Sequence, residues 1–261
     1  MSLTLTSTPT QLYPPEDFAE LFAIEDAFFW FKARNRVIHT LVSPLIADRA
    51  ANVIEIGCGT GYVLRMLSQQ FPKALVVGAD LFYSGLHYAQ QRVPQGLVQC
   101  DMRTAPFAND GFDLVCMCDV LEHIPEHENA LQVAYKLLRP GGHLLVTVPA
   151  RMSLWSYHDE HAHHCRRYEL NDLATCLTAA QFQVDYMTEF MSMLYPVLWL
   201  GRRMQAKMTR NADQADMAYQ QTRIPRIANY LLDTYLKIET SAIQHRRKLP
   251  IGTSLVAIAK K

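Results

Sequence analysis

Glu55 stands two residues ahead of three alternating glycines, Gly57, Gly59 and Gly61, after which the chain runs straight into a helical pattern. Glycines so placed let the backbone turn sharply and approach a ligand with no side chain in the way. The dinucleotide fingerprint spaces its third glycine one residue later and cradles a pyrophosphate on a helix N-terminus. Here the spacing is tighter and a carboxylate precedes the loop, which repels phosphate and favours an ammonium group. The stretch therefore suits an amino-acid-like moiety. Asp80, nineteen residues after Gly61, stands where a carboxylate accepts hydrogen bonds from both hydroxyls of a ribose. Asp101 could accept from the exocyclic amine of an adenine while Met102 packs on the ring. Each acid alone reads equally as a strand-end or N-cap residue. Together they describe a nucleoside carrying an amino-acid tail.

Such residues need a sheet to hold them. β-Branched runs alternate with helical patterns from residue 52 to about residue 190. The pattern predicts strands at residues 52–56, 74–80, 96–100, 112–119, 143–149 and 182–190, and helices at 62–71, 83–92, 126–139 and 170–180. Near-continuous apolar strands between helices imply a mostly parallel sheet covered on both faces, a doubly wound α/β fold. In that architecture ligands bind beyond the carboxyl ends of the strands, at the point where strand order reverses. Pro140, Gly141 and Gly142 read as a helix stop that turns the chain into the next strand.

The 261 residues are 49% apolar and 19% charged, enough for one large domain or a domain with a sizeable insertion. Twenty-five basic and 25 acidic residues cancel, so the global footprint of nucleic-acid binding is missing. Residues 201–250 nevertheless carry ten Lys or Arg against four acids, and residues 1–31 carry five acids with no Lys or Arg. Six cysteines, two of them alternating on an apolar strand as Cys116 and Cys118, lack the paired spacing of a zinc site and point to a reducing, cytoplasmic setting. The polar stretch from Pro9 to Gln11 gives no sign of a secretory signal. The longest apolar run, residues 190–200, is far short of the roughly 20 residues a spanning helix needs.

With these motifs in place, the chain resembles the class I S-adenosylmethionine-dependent methyltransferases, in their bacterial small-molecule branch of the methyltransferase-11/23 type. "VIEIGCGTG" looks like the family's first motif, Asp80 its ribose acid and "CDM" its adenine-binding strand end, while "FDLVCMCDVLEHIP" and "LRPGGHLLVTVP" resemble the fourth- and fifth-strand motifs. The match runs almost continuously over residues 50–150. It implies a Rossmann-like seven-stranded sheet, mostly parallel with the last strand antiparallel, and S-adenosylmethionine as cofactor. The cofactor contacts it implies are Glu55, Gly57, Cys58, Gly59, Gly61, Asp80, Leu81, Asp101, Met102 and Asp119. "AFFWFKARNRVI" is similar to an aromatic-rich N-terminal helix of that branch, which lies over the cofactor end of the sheet. "WSYHDEHAHHCRRYELNDL" resembles its acceptor-side signature, matched at His158, Asp159, His164, Arg166, Arg167 and Tyr168, with His161 and His163 extra. "LPIGTSLVAIAKK" resembles the final antiparallel strand. The implied organisation is an N-terminal helical cap over 1–49, a core over 50–189 and 249–261, and a helical insertion over 190–248.

The chemistry that follows is light on residues. A sulfonium methyl is already activated, so the protein mainly aligns nucleophile, carbon and sulfur and excludes water. For a hydroxyl or protonated amine acceptor a general base helps, which makes His123, His158 and His164 candidates, with Arg167 and Tyr168 beside them on the acceptor side. A structural hydrogen-bonding role competes for each histidine. Asp119, Glu122 and His123, at i, i+3 and i+4, also suit a site in which a metal assists O-methylation. A non-catalytic cofactor-binding protein would carry the same motifs, and an NAD-dependent dehydrogenase matches them less well. The expected partner is a small, apolar or lipid-linked acceptor, not nucleic acid. "MSMLYPVLWLGRRMQAKM", with Pro196 in its first turn and Arg202, Arg203 and Lys207 following, suits a lid over that acceptor or, more weakly, a membrane-surface contact.

Overall fold

The computed structural model describes residues 15–208 and 224–261. The stretches 1–14 and 209–223, which fall in the predicted cap and insertion, lie outside the described residues. Two helices, α1 (Pro15–Ile24) and α2 (Phe29–Ile46), precede an alternating run: β1 (Asn52–Ile56), α3 (Tyr62–Gln70), β2 (Leu75–Asp80), α4 (Tyr83–Arg92), β3 (Leu97–Gln99), β4 (Phe112–Cys118), α5 (His127–Leu137) and β5 (Leu138–Pro149). The short α6 (Tyr157–His161), α7 (Leu170–Ala179), β6 (Gln183–Phe190), α8 (Leu194–Met208), α9 (Arg226–Gln244) and β7 (Ser254–Lys260) complete the chain. The sheet order is β3-β2-β1-β4-β5-β7-β6. Strands β1 to β5 pair in parallel, and β7 runs antiparallel between β5 and β6. Strand order therefore reverses between β1 and β4, the predicted place for a ligand.

The apolar runs produce this sheet because both of its faces are covered. Along β4 every residue is buried, and neighbours fall on opposite faces. Val115 and Met117 pack with Leu131 of α5 and Leu173 of α7, whereas Leu114 and Cys116 pack with Leu41 of α2 and Leu64 of α3. The period-2 alternation of a strand is thus split between two cores. The helix α2 is a layer of the second core, since Val37, Ile38 and Leu41 are buried in it with Leu236 of α9.

One predicted boundary is corrected. Helix α5 ends at Leu137, and the segment Pro140, Gly141 and Gly142 lies inside the range of β5. Register jumps from Phe112 opposite Leu138 to Leu114 opposite His143, so the extra residues form a bulge in the strand. Gly141, at φ 79°, supplies the left-handed turn it needs.

Asn229 of α9 accepts from the Phe29 N–H at 2.9 Å and donates to the Ala27 carbonyl at 3.0 Å, and Arg36 donates to Asp233 at 2.7 Å. The C-terminal half of the predicted insertion is thereby docked on α2. Glu239 fixes the turn at the start of the insertion. Its buried carboxylate accepts from the Met191 N–H at 2.7 Å, the Ser192 N–H at 2.9 Å and the Ser192 hydroxyl at 2.6 Å. Met191 stands at φ 60°, so this turn out of β6 is one the chain would not adopt unaided. Glu239→Ala, which strands the buried Met191 amide and the half-buried Ser192 amide, should cost roughly 2–4 kcal/mol of unfolding free energy. Urea unfolding checks this: a midpoint unchanged from the parent would mean the turn holds without the carboxylate.

Candidate active site

The glycine loop hangs from the end of β2. Gly57 and Cys58 both donate to the Ala79 carbonyl, at 2.7 and 3.1 Å, and Gly61 donates to the Cys58 carbonyl at 2.8 Å. Asp80 completes the attachment, its Oδ2 accepting from the Gly59 N–H at 2.7 Å and its Oδ1 from the Phe82 N–H at 2.8 Å. Burial pushes the Asp80 carboxyl up, and the N–H groups of Phe82, Gly59 and Leu81 pull it back. All three glycines are left-handed, at φ 71°, 50° and 78°. They are not equivalent. A methyl on Gly57 would meet Val120 Cγ2 at 2.4 Å and one on Gly61 would meet Ala89 Cβ at 2.9 Å, whereas at Gly59 the nearest atom is Phe18 Cε1 at 4.0 Å. The loop is packed tight at both ends and open at its middle glycine.

Beneath it lies Glu55, 2% exposed, with no hydrogen-bond partner for its Oε2. Burial drives this carboxyl well above the usual range, with the nearby Arg34 guanidinium acting in the opposite direction. Arg34 reaches in from α2, its guanidinium bound to Asp119 Oδ2 and its buried Nε without a partner. Asp119, at φ 56°, is a non-glycine residue held left-handed just past β4, a strained conformation of the kind that collects at functional sites. An unmet carboxylate oxygen and an unmet guanidinium N–H thus lie together at the carboxyl ends of β1 and β4.

The N-terminal segment is locked across this end of the sheet. Arg92 of α4 donates to Glu25 at 2.5 Å, to the Thr60 hydroxyl at 3.0 Å and to the carbonyls of Phe22 and Thr60 at 3.2 and 3.3 Å. The Thr60 hydroxyl in turn donates to Glu25 at 2.6 Å. Loop, cap and α4 therefore share one buried ion pair.

The remaining predicted cofactor residues sit at neighbouring strand ends. Asp101 caps a 3-10 turn over Met102–Thr104, accepting from the Arg103 N–H at 2.9 Å and the Arg103 guanidinium at 2.5 Å, and the latter bond holds its carboxyl below the usual range. Met102 is buried in the core. Leu81 is exposed past Asp80, its carbonyl accepting from Gln99 Nε2 at 3.1 Å, and Cys58 is buried.

Asp159 organises the loop after β5 predicted to face the acceptor. Fully buried, it accepts from the Ser156 N–H at 2.9 Å and so starts α6, while its Oδ1 meets Arg167 Nε at 2.7 Å and His164 Nδ1 at 2.9 Å. Burial alone would raise this carboxyl, but the two partners outweigh it and hold Asp159 at about 2. Arg167 also donates to the Ala150 carbonyl at 3.1 Å. His123 stacks edge-on to His164 with ring centroids 4.7 Å apart, and His158 stands on α6 against Tyr157. Tyr168, predicted beside them, is instead 2% exposed in the core, donating to the Leu121 carbonyl at 3.4 Å and hydrogen-bonded to His127 Nδ1 at 2.8 Å. It braces the Leu121–His123 turn from behind.

The predicted carboxylate-x-x-Glu-His grouping is rearranged. Asp119 is engaged by Arg34, and it is His164 that joins Glu122 and His123, their ligand atoms all within 4.8 Å of one another. Both Glu122 oxygens are buried without a partner, and burial together with the Asp119 charge pushes that carboxyl well up. Arg34, Arg92 and Glu25 are not among the predicted site residues. For Arg34 the available signal was a basic residue set inside the apolar stretch "FFWFKAR".

Burial and the neighbouring His164 lower His123 to about 3. The unfolded chain binds that proton near pH 6.5, so the contribution of neutral His123 is complete above pH 6.5 and is lost as pH falls through 6.5 toward 3. At pH 4 the loss from this one group should reach roughly 3 kcal/mol, and His123→Asn should remove it. Urea midpoints at pH 7 and pH 4 for both proteins check the slope. Parallel declines would mean His123 titrates normally.

Comparison with known proteins agrees with this geometry. A family model described as a methyltransferase domain matches residues 29–186, more than half of the chain. Among curated relatives, the trans-aconitate 2-methyltransferase of Azoarcus sp. (strain BH72) is 33% identical over 150 residues, 57% of this chain and 56% of that protein. The malonyl-[acyl-carrier protein] O-methyltransferase of Legionella pneumophila is 28% identical over 177 residues, 63% of this chain and 61% of that one. The chain thus spans a little over half the length of the curated relatives it matches. Of solved structures, phosphoethanolamine N-methyltransferase 2 of Haemonchus contortus aligns with a TM-score of 0.62 at 18% identity, over 96% of this chain and 58% of that one. A possible histamine N-methyltransferase of Thermotoga maritima aligns at 0.58 and 15% identity, covering 94% and 95% of the two chains. At these identities the structures speak for the fold. The chain belongs to the methyltransferase-domain family.

Proposed function

We propose that the chain is an S-adenosylmethionine-dependent methyltransferase that moves the methyl group to an oxygen, nitrogen or carbon nucleophile of a small-molecule acceptor by direct displacement. The observation that carries this reading is the pair of unmet groups at the carboxyl ends of β1 and β4, Glu55 Oε2 and Arg34 Nε. One is the complement of an ammonium and the other of a carboxylate, the two charges of an amino-acid tail. The pair together does not suit a pyrophosphate, because Glu55 would repel it. Asp80 keeps lone pairs for a ribose beyond the two it gives to Gly59 and Phe82.

When bound, the cofactor supplies a methyl carbon already activated by a sulfonium. The protein's own residues then have three tasks. The loop from Gly57 to Gly61 and the Asp80 carboxylate hold the nucleoside and its tail in register. Phe18, packed over Gly59 and Gly85 from the locked N-terminal segment, covers the loop and helps exclude water. His164, oriented by Asp159 through Nδ1, presents its other ring nitrogen to take or hold an acceptor proton. Curated relatives whose names specify methyl transfer support the reaction class, while their named acceptors differ.

The test is binding followed by turnover. Asp80→Ala should weaken S-adenosylhomocysteine binding by roughly 1–3 kcal/mol, the loss expected for hydrogen bonds to a charged group. Mass spectrometry of an acceptor mixture incubated with the parent chain and S-adenosylmethionine should show the gain of a single methyl. Full affinity in a folded Asp80→Ala chain would remove the basis of the assignment.

A further inference from the structure

Arg202 of α8 lies beside the loop after β5, and the mechanism leaves it unused. It lies near Arg167, Asp159 and Tyr157, and its Nε and Nη1 are shielded from water with no hydrogen-bond partner. No carboxylate among the described residues lies within ion-pair distance of it. Asp159, whose charge acts on it, is already committed to Arg167 and His164. Two guanidiniums therefore stand near one carboxylate, and only Arg167 is bonded to it. Burial and the Arg167 charge pull Arg202 down to about 10, which leaves it fully charged at neutral pH. A buried charge with unmet donors is costly, and a structure that retains one at the mouth of a site gains when an anion enters.

Resting on the methyltransferase reading above, we infer that Arg202, together with the Arg167 edge of the Asp159 cluster, receives an anionic group of the acceptor, a carboxylate or a phosphate. The insertion helix thus selects acceptors by charge. An acid-bearing acceptor seated on Arg202 would place the rest of its skeleton toward His164 and the carboxyl ends of β4 and β5. Neutral analogues would leave the guanidinium unpaired and be rejected. Charge-assisted hydrogen bonds to planar guanidinium are strong for both anions, so the two sources need separate probes.

The experiment uses the full chain saturated with S-adenosylhomocysteine and titrated calorimetrically with glutarate and with glycerol phosphate, against glutaramide and glycerol as neutral controls. At least one anion should bind and the controls should not. Arg202→Gln should weaken the binding anion at least tenfold, with Arg202→Lys intermediate, while S-adenosylhomocysteine affinity stays within twofold. Thermal unfolding separates a ligand-receiving charge from a structural one: Arg202→Gln should unfold at the same temperature or higher, because it removes an unmet buried charge. No binding by either anion, equal anion affinity in Arg202→Gln, or a large fall in its unfolding temperature would each overturn the inference. Failure of the parent to bind S-adenosylhomocysteine would instead strike the methyltransferase reading, and the same anion titration on the free chain would still decide the role of Arg202.

Discussion

The attachment of one loop to the end of one strand organises this site. Asp80 closes β2 and spends one carboxylate oxygen on the Gly59 amide and the other on Phe82, while the Ala79 carbonyl takes the amides of Gly57 and Cys58. These bonds fix the left-handed path of three glycines, and that path brings bare backbone to the switch point of the sheet. The clashes a methyl would meet at Gly57 and Gly61 show that two of the glycines exist for packing against Val120 and Ala89. At Gly59 a methyl would meet only Phe18 Cε1, at 4.0 Å, so packing does not demand the third.

Around this anchor the chain collects buried charge it would otherwise avoid. Glu55, Arg34, Asp119 and Glu122 crowd the carboxyl ends of β1 and β4, and Asp159 gathers Arg167 and His164 after β5. Taking charges from water costs more than a surface pair returns, so incomplete pairing here indicates use, not stability. Other ion pairs hold the scaffold together. Arg92, Glu25 and Thr60 bind the N-terminal segment to the loop, and Arg151 meets Glu189 with two bonds of 2.7 Å.

Most of the sheet was legible in the sequence because a strand covered on both faces is an apolar run, and β1, β2, β4 and β6 follow such runs almost residue for residue. The misreading at Pro140–Gly142 has a definite cause: the residues that stop a helix also make a bulge, and only the register with β4 tells them apart. The cofactor loop was legible for its spacing. Arg34 was not, since its partner Asp119 is 85 positions away. Nor was the seat of Tyr168, whose hydroxyl meets a carbonyl 47 positions back. Local pattern shows which residues are chemically able, and contacts across the sheet decide which of them face a ligand.

The central claim is that the loop recognises a nucleoside by its amino-acid tail and not by a pyrophosphate. Calorimetric titration of the chain with S-adenosylhomocysteine, methylthioadenosine and NAD tests it most directly, since the second ligand keeps the nucleoside and lacks the tail. The account predicts saturable binding of S-adenosylhomocysteine, binding of methylthioadenosine weaker by at least tenfold, and none of NAD. Equal affinity for methylthioadenosine, or saturable binding of NAD, would contradict it.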